Sequence, residues 1–184
     1  MAFTNTKENS LESLIVKWLV EHNGYEEGTN TDYNKEYAVD EARLFWFLQD
    51  TQPKEMDKLG VFKSDTKKRQ FLNRLSGELA KRGIIDVLRN GIKVYPADLI
   101  MFYLTPTENN EQAKIMYAKN IFSVTRQLRY SQDAGKLALD VCIFINGLPV
   151  ITMELKNQLT KQNTENAAQQ YKEDRDPHDL LFSF

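Results

Sequence analysis

Two acidic residues and a lysine stand beside apolar stretches near the end of the chain, where a sheet core should hold no charge. Asp140 opens the first stretch, and Glu154 and Lys156 close the second. The i, i+2 spacing of Glu154 and Lys156 puts both side chains on one face of a strand. A tight turn at Asn146-Gly147 would bring Asp140 roughly opposite Glu154. Two carboxylates and an ammonium group therefore converge at the open end of a predicted hairpin.

These three side chains have the chemistry of a metal-assisted hydrolase. Buried charges are costly unless they pair or bind a metal. Two carboxylates, with water and a backbone carbonyl, suit Mg²⁺. The metal would activate a bound water, and Lys156 would offset charge at that water or at a phosphate, which is the chemistry of phosphodiester hydrolysis. The same residues could instead form a salt-bridge ladder on the surface of the hairpin.

The first element that could carry a further acid is an amphipathic helix predicted over residues 10–23. Its buried stripe is predicted to consist of Leu11, Leu14, Ile15, Trp18 and Leu19. Asn9 is the candidate cap of this helix, and Asn23-Gly24 ends it. Glu12 stands three residues after Asn9, so a capping box explains this acid without any catalytic role.

In the rest of the chain, the spacing of the apolar residues changes from the period of a helix to the period of a strand. Further helices are predicted over residues 38–49, about 64–82 and about 164–172, and residues 26–36 are predicted to be a loop. Strands are predicted in a hairpin over 84–95, then over 98–104, 120–130, Leu139–Ile145 and 150–155. This order predicts one α/β domain with a mixed, mainly antiparallel central sheet flanked by helices.

The segments around the three charged residues resemble a known nuclease family. An Asp on one strand and Glu-x-Lys on the next is the pattern of the PD-(D/E)xK nuclease core. The segment 139–157 is similar to the PD-hydrophobic-NGLP-hydrophobic-ELKN signature of type I restriction enzyme R subunits. The other matching motifs are Gly24-Tyr25, Thr51-Gln52-Pro53, Val124-Thr125-Arg126-Gln127, Tyr130-Ser131, Gln170-Tyr171-Lys172 and Asp174-Arg175-Asp176-Pro177. The resemblance implies a restriction-endonuclease-like PD-(D/E)xK fold of the α/β class.

The resemblance also implies roles for single residues. Asp140 and Glu154 would be Mg²⁺ ligands, and Lys156 would be the catalytic lysine. An acidic residue on the first helix often joins the site in this fold, and Glu12 is the matching residue. Glu12 is therefore either a ligand or the capping acid described above.

A later helical segment matches a Gln-x-x-x-Tyr motif that supports nuclease activity in the family. Tyr171 matches its Tyr, but Ala167 stands where the family has Gln, and Gln169 or Gln170 on the same helix is the candidate substitute. Leu139 likewise stands where Pro usually precedes the Asp.

The resemblance further implies a place in a larger enzyme. Residues 1–184 would be a single nuclease domain at the N-terminus of a longer R subunit, with ATP used only by a translocase motor outside this sequence. No G-x-x-x-x-G-K-[ST] phosphate loop occurs in the chain. The expected partners are double-stranded DNA and the methyltransferase and specificity subunits. Two alternatives stay open: a catalytically silent DNA-binding or docking module of the same fold, and a stand-alone PD-(D/E)xK repair nuclease.

Taken over the whole chain, the charge argues against DNA binding, because 184 residues carry a net charge of −2 and the pI is about 5.8. The charge is unevenly distributed, however. Residues 1–57 carry 5 basic and 12 acidic side chains, whereas residues 60–95 carry 9 and 3, and residues 113–136 carry 5 and 1. A basic face can therefore coexist with an acidic remainder. The candidate DNA contacts are Arg126 and Arg129 on a strand and Lys67, Lys68 and Arg74 on a helix.

Other classes of protein are disfavoured by composition. The single cysteine, Cys142, excludes an internal disulfide framework and a multi-cysteine zinc site. The polar first residues lack the apolar region of a signal peptide, and no apolar run has the ~20 residues of a membrane span. These features predict a cytoplasmic protein without a membrane partner.

Overall fold

The computed structural model describes residues 5–107, 109–131, 138–155 and 179–182. These residues form a mixed α/β structure in which helices flank a mainly antiparallel sheet. The helices are α1 (Asn5–Asn23), α2 (Glu41–Thr51), α3 (Pro53–Leu59), α4 (Asp65–Arg82), α5 (Ile84–Asn90) and α6 (Glu111–Tyr117), followed by a 3-10 turn at Leu180–Phe182. The strands are β1 (Glu26–Gly28), β2 (Tyr33–Asn34), β3 (Val39–Asp40), β4 (Ile92–Val94), β5 (Ala97–Leu99), β6 (Phe122–Leu128), β7 (Leu139–Ile145) and β8 (Leu148–Met153).

The main sheet has the strand order β1-β6-β7-β8. The short strand β1 runs parallel to β6, whereas β6, β7 and β8 are mutually antiparallel. Two separate two-stranded ladders, β2-β3 and β4-β5, connect the helices. The predicted strands at 120–130 and Leu139–Ile145 are therefore confirmed, and the strand predicted at 150–155 begins two residues earlier, at Leu148.

The predicted helix at 64–82 is confirmed as α4, and its stripe of Phe71, Leu72, Leu75 and Leu79 is buried. The predicted hairpin at 84–95 is wrong in its first strand, because Ile84–Asn90 is helix α5. Gly91, with φ of 64°, ends this helix instead of forming the hairpin turn. Its φ is left-handed, a conformation that suits a helix terminus as well as a turn. The actual hairpin pairs β4 with β5.

The N-terminal helix extends further than predicted and turns a different face to the sheet. Leu11, Leu14 and Trp18 are 42%, 61% and 59% exposed, so the predicted apolar stripe is wrong at these three positions, whereas Leu19 packs against the core as predicted. Glu12 and Val16 are buried instead, at 1% and 3% exposure. The sequence pattern treats Glu12 as a polar and therefore exposed residue. The predicted apolar stripe consequently lies away from the face that packs on β6.

Several short elements escaped the sequence pattern. Residues 26–36, predicted to be a loop, contain β1 and β2; the predicted helix at 38–49 begins only at Glu41; and the predicted strand at 98–104 is limited to β5. Helices α3 and α6 have seven residues each, which is too short for a clear apolar period. The predicted helix at 164–172 lies outside the described residues.

The turn between β7 and β8 is anchored by Asn146 and Gly147. Both have positive φ, 50° and 81°, as a type I′ hairpin turn requires. The buried Asn146 side chain accepts from the Ile121 amide at 2.7 Å and donates to the Met101 carbonyl at 2.9 Å and to Asn120 Oδ1 at 3.0 Å. This turn therefore ties the sheet to the two segments that enter β6 and leave β5.

Within the described residues, no helix has the length and apolar character that a membrane crossing would need.

Candidate active site

The register of the β7-β8 ladder brings the two predicted carboxylates to the same end of the hairpin. Val141 and Met153 form the last pair of the ladder, so the next residues outward, Asp140 and Glu154, lie at the same end of the hairpin. This end lies opposite the Asn146-Gly147 turn. The predicted juxtaposition of Asp140 and Glu154 is thus what the strand pairing produces.

Asp140 is half-buried, and each of its carboxylate oxygens has a named partner. Oδ2 accepts a hydrogen bond from the Leu155 amide at 2.6 Å, and Oδ1 accepts one from Gln127 Nε2 at 3.1 Å. The first bond fixes the carboxylate to the end of β8, close to Glu154. The second directs it toward β6.

Glu12 reaches the same place from helix α1. Its Oε1 accepts a hydrogen bond from Gln127 Nε2 at 2.8 Å, and its Oε2 lies 3.8 Å from Nε of Arg126. Asn9 lies within α1, four residues after the helix begins, so the capping-box explanation of Glu12 is wrong. A capping box requires Asn9 to precede the first helical residue. Glu12 instead belongs, by its contacts, to the group that contains Asp140.

Gln127 joins the two acids, and its backbone is unusual. Its φ is 48°, in the left-handed region that few non-glycine residues occupy. The β6-β7 pairing continues on both sides, from Arg126 with Val141 to Leu128 with Leu139, without an inserted residue. Gln127 therefore lies directly across from Asp140.

At Gln127 and Asp140, the alternation of side chains between the two faces of the sheet is interrupted. Strict alternation would place Leu128 and Leu139 with Val124 and Val141, but they pack in the cluster that contains Cys142 on the other face. Gln127, the left-handed residue in β6, lies at this change of face, and its side chain reaches both Glu12 and Asp140.

Glu154 follows the last residue of β8 and is half-buried, and its Oε1 atom has less than 1 Å² of exposed surface. Its position at the mouth of the hairpin keeps it among the predicted ligands. Lys156, Gln170 and Tyr171 lie outside the described residues, so the roles implied for them stay predictions.

The donor set matches the ligand chemistry of Mg²⁺, which prefers carboxylate oxygens and keeps several waters. Glu12 and Asp140 each have one carboxylate oxygen that accepts a hydrogen bond from the same atom, Gln127 Nε2. Among the described residues, no group of three or more His, Cys, Asp or Glu side chains is gathered closely enough to enclose a metal by protein ligands alone. Any ion bound here would therefore rest on few protein ligands and complete its shell with water.

The predicted DNA-contacting residues fall into two sets. Arg126, one-third exposed, adjoins Glu12, and Arg129 is exposed just beyond the end of β6, close to the candidate site along the strand. Lys67, Lys68 and Arg74 lie on α4 instead. Lys68 forms an ion pair with Glu41, and Arg74 lies 2.8 Å from Glu78. Two of these three helix cations are therefore already paired with acids.

The order of these features along the chain is that of a known family. A family model described as type I restriction enzyme R protein N terminus matches residues 5–184. The chain belongs to this family. In the other two comparisons, no curated protein and no solved structure matches the chain.

Among the motifs that resemble the type I restriction enzyme R protein N-terminal family, the structure distinguishes those that stabilise the fold from the one that faces the acids. The Asn-Gly pair of the NGLP motif is structural, because Asn146 is buried in the hydrogen bonds described above. Thr51-Gln52-Pro53 is also structural, since Gln52 exchanges two hydrogen bonds with the backbone of Ile100, at 2.8 and 2.9 Å. The motif containing Arg126 and Gln127 instead faces the acids.

Gln127 is the residue that sequence reasoning missed. It stands inside a motif that matched the family, next to Arg126, but an uncharged amide gives no signal of its own in a search for catalytic side chains. Its role depends on a backbone conformation and on Glu12, which is 115 residues away. Only the folded chain brings these together.

Proposed function

We propose that this chain is a Mg²⁺-dependent DNA endonuclease domain of a type I restriction enzyme, with a PD-(D/E)xK core. One observation carries the proposal: Glu12 and Asp140, from a helix and a strand far apart in sequence, share hydrogen bonds to a single amide nitrogen. Strand pairing adds Glu154 at the same end of the hairpin. Family membership supplies the restriction-enzyme context.

The chain's own residues would divide the work as follows. Asp140 and Glu154 would hold Mg²⁺ as its few protein ligands, Glu12 would stand beside them as a further acid, and the Asp140–Leu155 bond keeps one carboxylate oriented. Lys156 places a positive charge beside the phosphate that is attacked. Bound Mg²⁺ would supply an activated water and stabilise negative charge on the phosphate. Gln170 and Tyr171 would complete the site from the segment that follows.

DNA would approach the site along the basic side chains at the end of β6. Arg126 and Arg129 are suited to phosphate contacts, because a strand holds its side chains in fixed directions and Arg binds phosphate through two donors. Lys67, Lys68 and Arg74 would form a second, more distant contact. In this proposal the domain reads little sequence, since the specificity subunit selects the site.

The proposed partners are double-stranded DNA and the methyltransferase and specificity subunits, and the proposed location is the cytoplasm. ATP would be used by a motor region of the full R subunit. The role of this chain in the complex would then be to cut DNA that the motor delivers.

The decisive experiment is plasmid cleavage by the complex reconstituted with the full R subunit. Replacing Asp140, Glu154 or Lys156 by Ala should abolish cutting and leave ATP hydrolysis intact, because the motor is separate. Calorimetric titration with Mn²⁺ should show binding to the wild-type chain and its loss in Glu154→Ala. Normal cutting by any of the three variants would refute the site. No binding at millimolar Mn²⁺, even with DNA present, would favour a catalytically silent module.

A further inference from the structure

The Gln127 carboxamide lies where two acids come closest to a common partner. Its Nε2 is 2.8 Å from Glu12 Oε1 and 3.1 Å from Asp140 Oδ1. An amide nitrogen carries two hydrogens, so it can donate one to each carboxylate. Two carboxylates that share a site repel each other unless a donor or a cation lies between them. By donating to both carboxylates, the uncharged Gln127 amide reduces their mutual repulsion, as a cation between them would.

The backbone at Gln127 is held in place for this contact. The Asn30 side chain donates to the Gln127 carbonyl at 3.1 Å and accepts from the Arg129 amide at 2.7 Å, so it brackets the left-handed residue on both sides. Positive φ at a non-glycine residue persists only where the surroundings enforce it, and such residues cluster at functional sites. The Gln127 side chain is also exposed, which leaves it room to move outward.

We propose that the Gln127 carboxamide takes the place of the divalent cation between Glu12 and Asp140 in the metal-free protein and yields that place when the cation binds. This inference rests on the proposed function. Mg²⁺ binds carboxylate oxygens at about 2.0–2.1 Å, closer than either hydrogen bond, so an ion between the two oxygens replaces the amide as their partner. Gln127 is thus a positioning residue that keeps both acids oriented for the metal.

The first test measures the contact without any metal. Gln127→Glu keeps the shape of the side chain, removes both donors and adds a third carboxylate, so the melting temperature in EDTA should fall by several degrees. Adding Glu12→Gln should restore part of this loss, because the new amide at position 12 can donate to the new carboxylate at position 127, whereas Asp140 still faces a carboxylate. Gln70→Glu, on the exposed face of α4, is the control for added charge. Equal effects of Gln127→Glu with and without Glu12→Gln would overturn the inference.

The second test measures metal binding directly by calorimetric titration with Mn²⁺. Gln127→Glu should bind Mn²⁺ about tenfold more tightly than the wild type, because it adds a carboxylate and leaves no amide for the ion to displace. Added Mn²⁺ should also recover its melting temperature, whereas Gln70→Glu should match the wild type. Equal Mn²⁺ affinity in the wild type and Gln127→Glu would overturn the inference and leave the proposed function standing. If neither chain binds Mn²⁺, the proposed function fails, and the place-holding role fails with it.

Discussion

The Leu155 amide donates a hydrogen bond to Asp140 Oδ2 at 2.6 Å, which ties the end of β8 to the start of β7. The regular ladder ends at Val141 and Met153, so this bond closes the hairpin one step beyond the paired residues. The other oxygen of Asp140 faces Gln127. One carboxylate therefore has a structural task and, in the proposed function, a catalytic one.

These two tasks of Asp140 can be separated by two substitutions. Asp140→Asn keeps an oxygen that can accept from Leu155, so its free energy of unfolding should stay within about 1 kcal/mol of the wild type. Asp140→Ala removes the acceptor and should lose about 1–3 kcal/mol. Both should abolish plasmid cleavage, because neither offers a carboxylate to the metal. Urea denaturation and the cleavage assay measure the two effects, and cleavage by Asp140→Asn at the wild-type rate would contradict the assignment.

Glu12 is buried on α1, and its charge should matter more than its volume. Glu12→Gln keeps the size of the side chain, and we expect cleavage to fall at least about tenfold, as for other disturbed metal ligands. Glu21→Gln, on the exposed part of the same helix, is the matched control and should cut normally. Equal cleavage by the two variants would limit Glu12 to a packing role.

The two glycines Gly147 and Gly77 should respond in opposite ways to Ala. A Cβ atom at Gly147 would press against the Asp40 carbonyl oxygen and lie 2.6 Å from the Leu44 amide, and φ there is 81°. Gly147→Ala should therefore cost several kcal/mol or prevent folding. Gly77 lies in α4 with nothing within 4 Å of a new Cβ, so Gly77→Ala should stabilise by up to about 1 kcal/mol. Circular dichroism melting compares the two.

Asn146 should be among the most sensitive polar residues of the fold. Asn146→Ala removes three side-chain hydrogen bonds at a fully buried position and leaves their partners unsatisfied, so we expect a loss of about 3 kcal/mol or more. Asn110→Ala removes only the exposed cap of α6 and should lose about 1 kcal/mol. Similar losses in urea denaturation would show that the Asn146 network contributes little.

Cys142 should be chemically silent in the folded chain. Burial raises the pKa of its thiol, and the side chain is completely buried, so the reactive thiolate does not form at neutral pH. Raising the pH from 7 to 9 should leave its reaction with iodoacetamide far slower than that of a free thiol. In denaturing urea the thiol should react at the normal rate. Mass spectrometry measures the modified fraction, and rapid labelling of the native chain would refute the burial.

Where a long period of one kind runs through the sequence, the structure has the predicted type of element, although α1 buries a different face. The stripe of α4 and the alternation and turn of the β7-β8 hairpin are examples, and the hairpin alone was enough to bring Asp140 opposite Glu154. Helix α5 shows the limit, because Gly91 can end a helix or form a turn with the same local preference. In the folded chain, a Cβ atom at this glycine would clash with the backbone of Leu99, a contact that the local sequence does not reveal.

The sequence predicts the acidic residues of the candidate site but not the Gln127 side chain that connects two of them. The sequence alone allows Glu12 to be either a capping residue or a metal ligand, since its spacing to Asn9 fits a capping box. Helix α1 begins at Asn5, before its first apolar residues. Asn9 therefore lies inside the helix and cannot cap it. The Gln127 contact depends on a left-handed residue and a change of sheet face, and neither leaves a periodic signal.

Glu12 meets Gln127 across 115 residues of chain. Contacts of such separation form only after the intervening chain has collapsed, because closing a long loop must precede the contact that rewards it. A chain that had lost α1 would therefore keep Asp140 and Glu154 but lose Glu12, the acid that comes from this helix. In the proposed function, such a trimmed chain would lack one acid of the site while the hairpin that carries the other two stays complete.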